Sequence, residues 1–114
     1  MIIGLKLDPK RKFFVYGIYW AIHLHKLQRF FLVIDPEYGC GGFTPYSDEN
    51  ANVVDPGLDH YLMIKGDYGG DAIVHKAAYL DKAFFADLVN CGVLEKVEMV
   101  YNNMRKLGLD PLAP

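Results

Sequence analysis

Residues 13–34 read Phe-Phe-Val-Tyr-Gly-Ile-Tyr-Trp-Ala-Ile-His-Leu-His-Lys-Leu-Gln-Arg-Phe-Phe-Leu-Val-Ile, and how this stretch folds decides the fold class. Its first half is dense in aromatic and β-branched side chains, which suit a pleated, half-buried surface. Arg29–Ile34 has the same character and stops at a turn signal, Asp35-Pro36. The competing reading is a helix from Pro9 to about Gln28, with Asp8 as N-cap and proline at the first helical position. Val15, Tyr16, Gly17, Ile18 and Tyr19 are poor helix formers as a run, so strand–loop–strand is preferred. Both faces of 13–22 are apolar, which puts this strand inside a sheet covered on both sides. His23–Gln28 holds no Gly, Asn, Asp or Pro. The connection is therefore expected to be a loop and not a tight hairpin.

Working outward, residues 2–7 read as a short first strand that Asp8-Pro9 breaks. His60–Lys65 and Ala72–His75 are strands joined by the glycine-rich turn 66–71. The last third reads as two helices. The first has Asp81 as N-cap, carries Phe84, Leu88 and Cys91 on one face, and ends at Gly92. The second shows Val93, Val97, Val100, Met104 and Leu107 as an amphipathic stripe, with Gly108 and Pro111 as its stop. Strands first and helices last predict an α+β fold: a small, mostly antiparallel sheet packed by two carboxy-terminal helices.

The 114 residues fit one domain spanning 1–114. At 52% hydrophobic and 14% aromatic, the chain has material for a real core and is no disordered sequence. Cys40 and Cys91 lie far apart with no C-x-x-C, so neither a disulfide framework nor a zinc knuckle is written here. Two reduced thiols are expected, with a Cys40–Cys91 bridge as the alternative. No basic region precedes an apolar run at the start, so no signal peptide is expected. The most apolar stretch has His23, His25, Lys26, Gln28 and Arg29 in its middle. Charges there would cost about 2.5–3.5 kcal/mol each at a bilayer centre, which argues against a transmembrane helix and for a cytoplasmic protein.

The net charge of −2 hides a segregation. Residues 1–29 hold six bases and one acid, a net of +5, and residues 30–75 hold one base and eight acids, a net of −7. The two blocks either attract each other in the fold or present opposed patches. Nucleic-acid binding is disfavoured, because the pI is about 6.0 and no basic run extends beyond Lys10-Arg11-Lys12.

Much of the acidity sits in residues 35–59, which contain no Lys or Arg. Six carboxylates, Asp35, Glu37, Asp48, Glu49, Asp55 and Asp59, accompany four glycines and three prolines, so the segment reads as a long loop. Irregular segments of this length are usually functional or disordered. A phosphate cradle at Gly39–Gly42 lacks the Lys-Ser/Thr of a Walker loop and lies in negative surroundings. A calcium loop from Asp48 has Val53 where glycine is required and Asp59 where glutamate is required. Cys40 is not followed by a helix start, so it makes a poor nucleophile. His23 and His25 form an H-x-H pair that could meet a metal on one strand face, with His60 or His75 as third ligand. The ordinary reading of these histidines is the solvated end of a strand.

The remaining expectation is a recognition loop. Tyr38, Phe43 and Tyr46 would anchor a partner, and Asp48, Glu49, Asp55 and Asp59 would steer it. The chain is thus expected to be a non-catalytic, macromolecule-binding protein without cofactor, which takes a protein partner with a basic surface. An inhibitor or immunity-type role would suit it by analogy. The alternative is a small metal-dependent enzyme using His23 and His25 with His60 or His75. A homodimer through the loop or through strand 13–22 is the third reading. The main threat to the recognition loop is that the chain's own basic region is what its carboxylates meet.

Overall fold

A computed structural model describes residues 1–35, 43–65, 71–79 and 94–109. Among these residues, eight strands run in chain order: β1 (Ile2–Leu5), β2 (Lys12–Phe14), β3 (Gly17–His23), β4 (Lys26–Ile34), β5 (Phe43–Ser47), β6 (Ala51–Asp55), β7 (Tyr61–Ile64) and β8 (Ala72–His75). A 3-10 turn over Lys76–Ala78 and a helix α1 (Leu94–Lys106) follow. The strands form two antiparallel sheets. One has the order β2-β1-β6 and the other β5-β4-β3-β8-β7. The fold is α+β and mostly sheet. One α-helix stands among the described residues where two are expected, and the other expected helix, over 81–91, lies outside them.

The strand character of 13–34 holds, by two-sided burial, but the single strand expected over 13–22 is broken at Val15 and Tyr16 into β2 and β3, which lie in different sheets. Alternate residues of β3 and β4 point to opposite faces. Leu32 joins Tyr16, Phe43, Val74, Val97, Val100 and Met104 in one core, under α1 and the 3-10 turn. Ile18, Phe31 and Val33 join Ile3, Val15 and Ala51 in a second core, under the three-stranded sheet. The larger sheet is thus the middle of three layers. The chain switches sheets three times, the last of them between β6 and β7. Val15 and Tyr16 carry the chain from β2 into β3, with the Val15 N–H donating to the Met1 carbonyl and the Tyr16 N–H to the Leu32 carbonyl. The Asp48–Asn50 turn carries it from β5 into β6.

Two further expectations need correction. The β3–β4 connection is a tight hairpin, with His23 paired to Lys26 and only Leu24 and His25 between them. Both turn residues have positive φ, 52° and 64°. That is the backbone of a type I′ turn, which usually recruits Asn-Gly. Here the register running from Gly17–Leu32 to His23–Lys26 imposes the conformation on unsuited residues. The second correction concerns 35–59, where residues 43–55 are ordered strand and not loop. Pro45 is compatible with β5 because that strand is an edge. The Asp48 N–H donates to the Arg29 carbonyl, so the Phe30–Ser47 and Leu32–Pro45 pairs are non-hydrogen-bonded and the Pro45 nitrogen faces outward. The proline costs the ladder no bond.

Helix α1 buries Val97, Val100 and Met104, as the stripe predicts. Leu107 is off it, because the helix ends at Lys106. Gly108 adopts φ 76°. Its N–H meets the Arg105 carbonyl, and the Leu109 N–H meets the Met104 carbonyl, which together make a Schellman cap. Asn103 ties the helix to the 3-10 turn by donating to the Ala77 carbonyl at 3.1 Å.

The sheets are also tied by a buried carboxylate at the end of β4. Asp35 is fully buried, and Arg11 Nη2 donates to both of its oxygens at 2.7 Å. The Tyr46 hydroxyl on β5 donates to it at 2.6 Å. Removing one partner of a buried pair is more damaging than the pair is stabilising. Arg11→Met is therefore expected to cost about 3 kcal/mol, and Tyr46→Phe about 1 kcal/mol. Urea midpoints at unchanged m-value check both, and an Arg11→Met variant as stable as the parent would refute the tie.

Candidate functional site

The acidic segment is largely spent on the chain's own bases. Besides the Asp35–Arg11 pair, Glu49 accepts from Lys26 Nζ at 2.8 Å. Lys26 lowers the Glu49 pKa, through its hydrogen bond first and its charge second. Both groups are exposed, so the pair fixes position more than it stabilises. Asp48 lies 3.7 Å from Arg29 Nε, and the Arg29 guanidinium stacks over Phe31 at 5.0 Å. Asp55 accepts the Gly57 N–H at 2.9 Å in a local turn. Of the aromatic anchors, Phe43 is 2% exposed and belongs to the helix-side core. Tyr46 is half-buried and stacks on Phe13 at 5.8 Å. Tyr38, Glu37 and Cys40 lie outside the described residues, as does Cys91.

What the surface offers instead is apolar. Leu7 is 98% exposed, Leu24 82%, Ile22 78% and Leu27 63%. Ile22 and Leu27 face each other across β3 and β4, one step from the Leu24-His25 turn. Leu7 belongs to the same end of the molecule. The Lys6 N–H donates to the Asn50 carbonyl at 3.0 Å, and the neighbouring Glu49 holds Lys26 at the hairpin base. Beside the hairpin lies an open groove of about 520 Å³ lined by Leu24, Gln28, Phe30, Phe43, Pro45 and Tyr46, with His23, Glu49 and Asn50 among its polar groups. Thr44 also lines it, and its buried hydroxyl has no hydrogen-bond partner among the described residues. Sequence reasoning missed this end because Leu24 and Leu27 stand among His23, His25 and Lys26 and read as the polar tip of an apolar run.

The histidines do not assemble as a metal set. His23 ends β3, whereas His25 occupies a left-handed turn position, so the pair does not share a strand face. Gly17 on β3 aligns with Val74, next to His75. His23 is six residues farther along β3, roughly 20 Å at 3.3 Å per residue. His60 and His75 do approach, with ring centroids 6.1 Å apart. Among the described residues, no three His, Cys, Asp or Glu side chains converge as metal ligands.

His75 is the most constrained of the four. It is fully buried, and its Nδ1 accepts the Ala77 N–H at 3.1 Å, which caps the 3-10 turn. The Phe14 and Tyr61 rings pack edge-on to it at 5.3 and 4.9 Å. Its Nε2 is buried with no partner among the described residues. Burial above all, then the charges of His60, the terminal amine and Lys76, push its pKa from 6.5 down to about 4. The residue lines a pocket of about 210 Å³ with Asp55, Asp59, His60 and Tyr61. Two of the expected steering carboxylates, Asp55 and Asp59, are therefore placed here. The Tyr61 hydroxyl donates to the Val15 carbonyl and accepts from the Met1 nitrogen at 3.1 Å.

No protein-family model, curated protein or solved structure matches the chain. No helix among the described residues is long and apolar enough to cross a membrane.

The His75 shift has a definite sign. Its folded pKa is depressed, so in acid the unfolded chain takes up the proton first. The stabilisation is complete above about pH 6.5 and is lost as pH falls through about 4. Thermal melts across that window should show a midpoint that declines with acidity, and His75→Gln should flatten the decline. An unchanged slope in the variant would place the acid sensitivity elsewhere.

Proposed function

We propose that this chain is a non-catalytic binding protein that docks a protein partner on the end formed by Leu7 and the β3–β4 hairpin. The observation that carries the reading is Leu24, which holds φ 52° and is 82% exposed. A left-handed L-residue costs about 1–2 kcal/mol. An apolar side chain in water gains nothing from burial to offset that, and Asn-Gly would make the same turn at less cost. Unfavourable backbone held at a surface tip is a feature of functional sites. Ile22 and Leu27 beside it make an apolar contact area, and the groove gives a partner a concave seat.

The partner surface is apolar at its centre. A basic partner steered by Asp48 and Glu49 would have to compete with Arg29 and Lys26 for them. An inhibitor or immunity-type role, in which the protein caps the working surface of another protein, is one form this function could take.

Cross-linked affinity capture with the parent, I22S/L24S/L27S and D48N/E49Q distinguishes these contributions. The expected result is a partner retained at high salt by the parent and by D48N/E49Q, and lost by the triple serine variant. Exposed substitutions should leave stability within about 0.5 kcal/mol. The L24N/H25G variant is expected to be about 1 kcal/mol more stable than the parent and yet to bind more weakly. Loss of the partner in D48N/E49Q with full retention in the serine variant would overturn the reading.

A further inference from the structure

Among the described residues, four strands form the sheet edges: β2 and β6 in the smaller sheet, β5 and β7 in the larger. An open edge is a row of N–H and C=O groups that recruits another strand unless something blunts it. Three of these edges are blunted. β5 turns Pro45, which has no N–H, to its open side. β6 is bulged at Val54, where its register on β1 slips, and runs into Pro56. β2 is three residues long and starts at Lys12. β7 carries no such device. Its Tyr61-Leu62-Met63-Ile64 holds no proline and no charge, and its register on β8 is unbroken.

The ladder determines which groups β7 leaves open. The Lys76 N–H donates to the His60 carbonyl, so His60, Leu62 and Ile64 turn their backbone groups to β8. Tyr61 and Met63 turn theirs outward. The Tyr61 N–H is spent on the Leu58 carbonyl of the preceding turn, at 3.3 Å. The Tyr61 carbonyl and both backbone groups of Met63 lie on the open side, and Met63 is 71% exposed.

A second β7 answers these groups about a two-fold axis through Met63. The two Met63 residues exchange both N–H···O bonds, and each Lys65 N–H meets the opposing Tyr61 carbonyl. A register centred on Leu62 would instead call on the Tyr61 N–H, which is already taken. The side chains agree with the Met63 register. Leu62 and Ile64, both on the helix side, face each other twice across the axis, and Met63 faces its twin on the opposite side of the sheet. The lysines end opposite tyrosines and not opposite each other. One patch thus complements itself, as an isologous contact requires.

We infer that β7 pairs antiparallel with β7 of a second copy of this chain, in register about Met63, and joins two five-stranded sheets into one. β3 and β7 both run antiparallel to β8, so the two-fold axis turns the hairpin tips in opposite directions and leaves the apolar end free. One short strand makes a small contact, below the ~1,200 Å² of a standard interface, so the dimer is weak, with a Kd on the order of tens of micromolar.

The test is analytical ultracentrifugation of the full chain from about 1 µM to about 1 mM, a range that brackets that Kd. The mass should rise toward the dimer, and Met63→Lys and Met63→Pro should each weaken association at least tenfold. Both monomers should fold, since Met63 is exposed and its N–H makes no bond to β8; thermal midpoints at the lowest concentration check this. I22S/L24S/L27S should dimerise as the parent does. In hydrogen exchange followed by NMR, the Met63 amide should slow as concentration rises, and the Leu62 amide, bonded within the sheet, should change less. A parent that stays monomeric at the highest concentration would leave the edge to a strand of another protein and overturn the pairing. Association untouched by Met63→Lys, or Met63 exchange that ignores concentration, would overturn it equally.

Discussion

The central sheet has apolar side chains on both of its faces, and neither face can be left in water. Strands β3 and β4 send Leu32 to one side and Ile18, Phe31 and Val33 to the other. Burying both sides requires two covers, and the chain supplies them from opposite directions: β1, β2 and β6 on one face, α1 and the 3-10 turn on the other. A one-residue slip of either central strand would exchange the two sets and ruin both cores. The Arg11–Asp35–Tyr46 cluster sits where the layers meet, and it can form in one arrangement only, since Asp35 has no solvent to fall back on.

The strands of 13–34 were legible because aromatic and β-branched density is a property of the residues themselves. So was the α1 stripe, with Val97, Val100 and Met104 buried and Gly108 as the stop. The tight turn was not. Its signal, Asn or Gly at Leu24 and His25, is absent, and what forces it is the pairing on either side. Strands β5 and β6 were hidden for a related reason. Glycine, proline and acid content marks 35–59 as loop, but β5 takes its partner from β4 and β6 takes its partner from β1, far back in the chain. No local pattern reports such pairings. Pro45 in particular reads as a strand breaker until its outward position on an edge is known.

Of the site, charge segregation was visible in the sequence, and so was the risk that the two blocks would meet each other. Which carboxylate meets which base was not, because the contacts of Asp35, Asp48 and Glu49 depend on register. Side-chain type also misled over the histidines. His23 and His25 are close in sequence but sit at the hairpin, whereas the chemically unsettled residue is His75, which folding buries beside Asp55 and Asp59. The exposed leucines show the converse: polar neighbours in sequence concealed an apolar tip in space.

The position of β1 between β2 and β6 has a consequence for the order in which the molecule can be built. β2 reaches β1 through a short connection, and β3 reaches β4 through two residues, so these hairpins close early at little entropic cost. The Ile3–Val53 pairing spans fifty residues and cannot form until the intervening chain is in place. On a ribosome, the amino-terminal hairpin must therefore wait, with the β1 edge open, until β6 emerges. The interval between those two events is when the nascent protein is most exposed to wrong pairing, and a slower passage through residues 35–50 would lengthen it.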